Sequence, residues 1–392
     1  MSFFDKLNNK FSKFYDKVTT IETIRNIFFY LGITLFFIGD SSDYSIIGFT
    51  PLVKNLLLYS GFTLLVLKIF LTQESLYNYI KYFIYILIAI ILDNIIGTKV
   101  IALSIVLYII SSKKVDINKF FKYLFFINSI ILIFNLYVYI ANQFLDFNLF
   151  GARISPEYYL YRNNLIRHGF YFYHPNAFSF YLFWTYMLYI YLQWDSFKSA
   201  KQYIKVFIAS VLLAIVCFFC TQTRIATIFF LITVPLLFVF KNKKFQNSRL
   251  IKWILSYFYV ILFIISMLLL VSYGLNNVLG VISLKISDIL NGRIWLGNLE
   301  LTKYGLTLFG QPGLASKFFV VDNGYYHILI KYGLLATLFF LCLFVKTSKR
   351  LCINKDYKCL YLITLFCVYN FIEALLVHPQ ACIIYAILGM FI

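Results

Sequence analysis

Long, unbroken apolar runs constrain this chain more than any other feature. One extends from about residue 252 to residue 273 with a charge only at its first position, Lys252. A helix at a soluble surface is apolar along one stripe; a helix apolar all round must be enclosed by protein or lipid. Apolar residues make up 61% of the 392 residues and charged residues 13%, against roughly 45–50% and about 25% in soluble domains. No compact soluble core could enclose that much apolar surface, and disorder needs the opposite composition. A β-barrel would alternate with a period of two, which these runs do not. The remaining class is an all-α, polytopic integral membrane protein.

A crossing helix needs ~20 residues. Apolar runs at about 24–39, 52–71, 78–93, 95–111, 120–142, 174–193, 203–220, 225–240, 252–273, 325–345, 358–377 and 380–392 predict about twelve spans. Residues 1–392 are then a single transmembrane domain, with no cleavable signal peptide, internal repeat or soluble domain expected. Residues 1–20 place Phe4, Leu7, Phe11, Phe14 and Val18 at helical spacing, with Lys6, Lys10, Lys13 and Lys17 among them. That pattern fits a cytoplasmic amphipathic segment on an anionic membrane face, or a simple positively charged anchor. Two connections are long, at about 143–173 and 274–324, and long loops in compact folds usually carry function.

With the N-terminus cytoplasmic, the alternate loops on that side hold 24 of the 35 basic residues, 21 of them Lys. The positive-inside rule supports this orientation, with both termini cytoplasmic in the plasma (inner) membrane. The 11 outer basic residues include five arginines: Arg153, Arg162, Arg167, Arg224 and Arg293. Outer arginines oppose the orientation rule, so they need another reason; the guanidinium fork binds phosphate or carboxylate bidentately, which lysine cannot do. All four histidines, His168, His174, His327 and His378, also fall at or near the outer face. The net charge of +19 is therefore a matter of orientation and anionic ligands, not of nucleic acid. The seven cysteines lie mainly in apolar runs or Lys-rich loops, so Cys217 and Cys220 are packing residues despite their CxxC spacing, and no disulfide or metal site is expected.

Candidate chemistry clusters on the outer side. Arg167, His168, His174 and Asn176 close the first long loop; they are either a capped helix start or one wall of a site. Thr221-Gln222-Thr223-Arg224 puts an arginine at a helix start, where the dipole disfavours a cation unless an anion is present; snorkelling to headgroups is the plain alternative. Asn291-Gly292-Arg293-Ile294-Trp295 repeats the arrangement in the second long loop, where an interfacial helix with an Arg–Trp belt is the plain alternative. Asp322-Asn323-Gly324-Tyr325-Tyr326 is an N-cap or supplies Asp322 as a general base facing an outer cavity. Glu373, inside the eleventh predicted span, is a functional carboxylate or a structural partner for an arginine. The expected catalytic set is Asp322, His174, Arg224 and Arg293. Arg167, His168, Asn176, Asn323, Tyr326 and Glu373 join the two arginines in binding substrate.

The order of these motifs, an Arg-rich loop ending in HPNA, then TQTR, NGRIW and DNGYYHILIKYGLL, resembles the Wzy-type polysaccharide polymerases of the O-antigen polymerase and ligase superfamily. The versions of Gram-positive capsules and exopolysaccharides are most similar. The resemblance runs from about Arg167 to Gly333. It implies a GT-C-like glycosyltransferase, independent of metal and of any cofactor. Such an enzyme joins undecaprenyl-diphosphate-linked oligosaccharides, donor to acceptor, on the outer face of the membrane, and inverts the anomeric centre. It also implies a flippase and a chain-length regulator as pathway partners. By motif, Arg224 and Arg293 match the arginines that bind diphosphate. Ligase relatives carry a His before the Asn where this chain has Asp322, so the base is Asp322 or His174, or the acceptor hydroxyl needs little deprotonation. A ligase-type transferase on the same scaffold is one competing reading. A lipid-linked oligosaccharide flippase or transporter is another, although charges deep in several spans and two symmetric halves are missing from the sequence.

Overall fold

The computed structural model describes residues 20–41, 50–98, 100–145, 161–162, 165–170, 172, 174–317, 319, 321–377 and 382–392. Residues 1–19, Arg153, His378 and most of the 143–173 loop lie outside the described residues. Apart from a two-residue antiparallel pair, β1 (Tyr161–Arg162) and β2 (Leu165–Ile166), the regular structure described is helical.

The first five helices are α1 (Thr20–Ser41), α2 (Pro51–Phe70), α3 (Leu76–Ile96), α4 (Ile101–Ser111) and α5 (Ile117–Leu145). Next come α6 (Pro175–Leu192), α7 (Ala200–Val216), α8 (Arg224–Lys241), α9 (Lys243–Asn247) and α10 (Arg249–Ser272). The last six are α11 (Val278–Ile289), α12 (Arg293–Tyr304), α13 (Gly324–His327), α14 (Gly333–Ile353), α15 (Tyr357–Asn370) and α16 (Cys382–Gly389). Local rules set many of their starts. Thr50 caps α2 ahead of Pro51, Ser75 caps α3, Ser248 caps α10 and Asp356 caps α15, each accepting from a backbone N–H of the first turn that has no partner within the helix.

Eight helices among the described residues are long and apolar enough to cross a membrane, so the chain is a multi-pass membrane protein. They are α1, α2, α3, α5, α7 with its last turn to Thr221, α8, α10 and the stretch Gly324–Ile353 that holds α13 and α14, with a break at Gly333 (φ 84°). The expectation of twelve therefore exceeds what the helices support by length and composition. The other four expected spans are helical too, but α4 has 11 residues, α15 has 14 and α16 has 8. The fourth, α6, has 18 residues but carries four tyrosines, a tryptophan and several polar side chains. Burial explains these sequences: most residues of α4, α6, α15 and α16 are enclosed by other helices. A helix walled by protein need be neither uniformly apolar nor long enough to face lipid on both sides.

Aromatic packing joins the central helices. The Phe183 ring of α6 meets Phe229 and Phe230 of α8 edge-on at 5.6 and 5.3 Å, and Tyr369 of α15 at 5.7 Å. This cluster fixes the middle of α6, the first half of α8 and the end of α15 relative to one another. The expected loop 274–324 contains two helices. In α11, Gly280, Ser283 and Ser287 are buried, with Ser283 Oγ donating to the Leu269 carbonyl of α10 at 2.6 Å, whereas Val278 and Ile289 are each 76% exposed.

Candidate functional site

A cavity of ≈ 460 Å³ opens where α6, α8 and α12 begin, beside Asp322, two residues before α13, and the turn after α15. Its walls include His174, Asn176, Arg224, Arg293, Asp322 and Glu373, and Tyr369 also lines it. Residues 199 positions apart, His174 and Glu373, thus share one space. The fold brings together the four residues expected to be catalytic and two of those expected to bind substrate.

The two arginines are delivered by the same local device. After α7, a wide turn at Cys217–Thr221 ends in Gln222, held in the left-handed region at φ 52°, and α8 begins at Arg224. After α11, Asn291 and Gly292 adopt φ 55° and 81°, and α12 begins at Arg293. Asn and Gly tolerate that backbone at little cost, whereas Gln does not, so the Gln222 turn has to be held from outside. Three hydroxyls do so: Ser179, Thr221 and Thr223 lie within 2.6–2.8 Å of one another, and the Cys217 carbonyl accepts from Thr221 Oγ1 at 2.8 Å and from the Thr223 N–H at 3.0 Å.

The surroundings of the two guanidinium groups differ. Arg293 is 8% exposed; its Nε donates to Asp322 Oδ2 at 3.1 Å and its Nη2 to Glu373 Oε1 at 2.7 Å. Burial alone would depress its pKa, but the two carboxylates outweigh that and hold it above the usual arginine range. Its Nη1 is buried with no hydrogen-bond partner among the described residues. Arg224 is exposed and makes no hydrogen bond or ion pair with any described residue. It combines a free guanidinium with the positive end of an 18-residue helix, an arrangement that favours an anion.

The remaining expected residues take other places. Arg167 does not line the cavity: it is buried, and donates from Nε to the Thr221 carbonyl at 3.0 Å and from Nη2 to Asn176 Oδ1 at 2.9 Å. It ties the α6 wall to the Arg224 turn from behind. His174 is the N-cap of α6, and its Nδ1 accepts the Asn176 N–H at 3.0 Å. That nitrogen is therefore committed as an acceptor, and a neutral ring carries its proton on Nε2, which suits donation rather than proton abstraction. His168 pairs through Nδ1 with the Tyr139 hydroxyl at 2.6 Å, away from the cavity lining. Asn323 is buried as the cap of α13, accepting from the Tyr325 and Tyr326 N–H groups at 2.9 and 3.2 Å. Tyr326 is fully buried, donates to the Ser266 carbonyl at 2.9 Å and seats Gly297 of α12, where a Cβ would come within 2.5 Å of its ring. Glu373 is not within a helix: α15 ends at Asn370, and the Glu373 N–H bonds the Tyr369 carbonyl at 2.9 Å in the following turn.

Sequence reasoning passed over Ser179 and Tyr369, which line the cavity. Ser179 carries no pattern of its own, since only its spatial neighbours Thr221 and Thr223 give it a role. Tyr369 is one of 33 tyrosines and nothing local distinguishes it. Among the described residues no group of three or more His, Cys, Asp or Glu side chains is placed to hold a metal ion. No family model matches this chain, and neither a curated protein nor a solved structure is significantly similar to it.

Proposed function

We propose that this chain is a membrane-embedded polysaccharide polymerase. It transfers a glycan from undecaprenyl diphosphate onto a lipid-linked oligosaccharide repeat unit at the outer face of the plasma membrane. About twelve helical passes, the four short or enclosed helices included, fit the alternation of Lys-rich loops. The observation that carries the reading is the shared cavity: the arginines of the TQTR and NGRIW motifs and the aspartate of DNGYY line it together with His174, Asn176 and Glu373.

The chemistry follows from charge. The acceptor hydroxyl attacks the anomeric carbon, the bond to the diphosphate oxygen breaks, and the diphosphate leaves with the electron pair. Negative charge grows on the leaving group, so oriented cations in a partly enclosed site supply most of the stabilisation. Arg224 is free to take the diphosphate, and the α8 N-terminus adds its dipole. Arg293 offers Nη1 while its other nitrogens hold Asp322 and Glu373. Asp322 keeps one carboxylate oxygen clear of Arg293 and is 44% exposed, so it is the group to receive the acceptor proton. His174 is assigned as a hydrogen-bond donor from Nε2. Displacement in one step inverts the anomeric configuration.

The test is an assay with purified protein in liposomes, an undecaprenyl-diphosphate-linked repeat unit as sole substrate, and EDTA present. A ladder of longer lipid-linked glycans is the expected result. Movement of the lipid-linked unit between leaflets with no ladder would make the protein a flippase and the cavity a headgroup vestibule.

A further inference from the structure

A second cavity, of ≈ 430 Å³, lies between α3 and α14 with α4 behind it. Its walls are apolar, formed among others by Ile88, Leu92, Ile105 and Leu335. Small side chains, Ala89, Ala102 and Ala336, create the hollow. The Tyr85 and Phe339 rings meet edge-on across it at 5.2 Å. Along α14 the lining runs from Leu335 to Lys346, a helical length of about 17 Å. Leu338, in the lining, is 53% exposed, so the groove opens on the outside of the bundle.

Both charged side chains that line this groove are cations, and Ile392, whose main-chain oxygen accepts from Lys113 at 3.4 Å, also lines it. Lys81 and Lys346 both line it, and neither makes a hydrogen bond or ion pair with a described residue. Lys346 lies within electrostatic range of Lys81, Arg350 and Lys113, and Lys81 within range of Lys113, Glu74 and Arg350. The one carboxylate among these, Glu74, is already engaged by Lys113 at 3.1 Å and Lys114 at 3.5 Å. The Lys346 end is remote from the Arg293 cavity: the two cavities share no lining residue, and Lys346 stands 13 residues beyond Gly333 in α14, about 20 Å along that helix.

We propose that the groove is a binding site for one anionic diacyl phospholipid. Its acyl chain lies along Ile88, Leu92 and Ala336, and its phosphate sits between Lys81 and Lys346, with Arg350 behind. The shape supplies the tail site; Lys81, whose ammonium sits over the Tyr85 ring at 5.6 Å, and Lys346 have no carboxylate partner among the described residues and supply the reason for a negative headgroup. A neutral lipid fits the walls but leaves both lysines facing each other unscreened. The site is independent of the glycan chemistry proposed above.

The experiment is native mass spectrometry of the delipidated full-length protein titrated with phosphatidylglycerol or phosphatidylcholine. Wild type is expected to take one phosphatidylglycerol with roughly 30-fold preference over phosphatidylcholine. Lys81→Gln with Lys346→Gln loses the preference, and the double Arg variant keeps it. Ala336→Phe blocks the tail groove and loses tight occupancy with all charges intact. Equal uptake of the two lipids by wild type, or undiminished preference in the double Gln variant, overturns the proposal. Displacement of phosphatidylglycerol by an equimolar polyprenyl phosphate also overturns it and assigns the groove to that lipid. Both lysines are half-buried rather than core residues, so the double Gln variant tests the site even if Ala336→Phe folds poorly.

Discussion

Arg224 and Arg293 are placed alike and employed differently. Each follows a left-handed turn, occupies the first position of a helix and lines the same cavity. A cation at a helix N-terminus is unfavourable by its dipole, and each site resolves that in its own way. At Arg293 the protein supplies the anions itself, Asp322 and Glu373, and buries the group. At Arg224 it supplies none and leaves the side chain exposed. Position alone therefore does not assign a role to an arginine; the partners do. Arg293 organises two carboxylates, and Arg224 has neither a hydrogen bond nor an ion pair among the described residues.

The widest separation between the two is expected on removing each group. Arg293→Ala leaves Asp322 and Glu373 facing each other without their shared cation. Breaking such a pair costs about 3–5 kcal/mol, so both the thermal midpoint in detergent and polymerising activity should collapse. Arg293→Lys restores the charge but cannot reach both carboxylates with Nε and Nη2 geometry; it should insert normally and lose most activity. An Arg293→Ala protein as stable as wild type would show that the ion pairs contribute nothing and would erase the contrast.

Next in size is the carboxylate pair. Asp322→Asn keeps the shape and removes the proton acceptor, which costs about 10²–10⁴ in turnover if Asp322 is the base. Glu300→Gln is the comparison. Glu300 is buried in α12 with Oε2 unpartnered and does not line the cavity, so its effect on turnover should be small. Equal, mild losses in the two variants would reduce Asp322 to a partner of Arg293. Arg224→Lys should follow, with a fall of about 10²–10³ in turnover and stability within roughly 0.5 kcal/mol of wild type. A parallel loss of stability would mean that Arg224 is structural after all.

How much of this could be foreseen depends on how local each signal is. Apolar runs and capping residues act within a few positions, so the helices were expected nearly where they form. The enclosed helices α6 and α15 differ from lipid-facing ones only through their neighbours, and composition along one helix does not name its neighbours. The helix starts at Arg224 and Arg293 are legible in adjacent residues, but the left-handed turn at Gln222 is not, because Ser179, which helps hold it, stands 43 positions away. Glu373 was legible as a partner for an arginine, but not for which one, and Asp322 was not: they stand 80 and 29 positions from Arg293, and no periodicity links them. Asn323 and Tyr326 drew attention by adjacency to Asp322. Consecutive residues at a helix start point in different directions, and here they point into the cap and the core.

The smallest effect belongs to the back of the Arg224 wall. Arg167 touches no cavity surface, yet it links the Thr221 carbonyl to Asn176. Removing it frees a buried carbonyl and lets Asn176 and the neighbouring His174 cap shift. A lost hydrogen bond to a charged group costs about 1.5–3 kcal/mol, of which the part felt at the cavity is smaller. Arg167→Ala should therefore lower turnover by about tenfold, with KM rising more than kcat falls if the wall mainly positions substrate. Asn176→Ala should act similarly, and the double variant should be no worse than either single one, because both remove the same link. Additive losses would separate the two residues and leave the Arg224 wall without its brace, so the difference between the two arginines would rest on ion pairing alone.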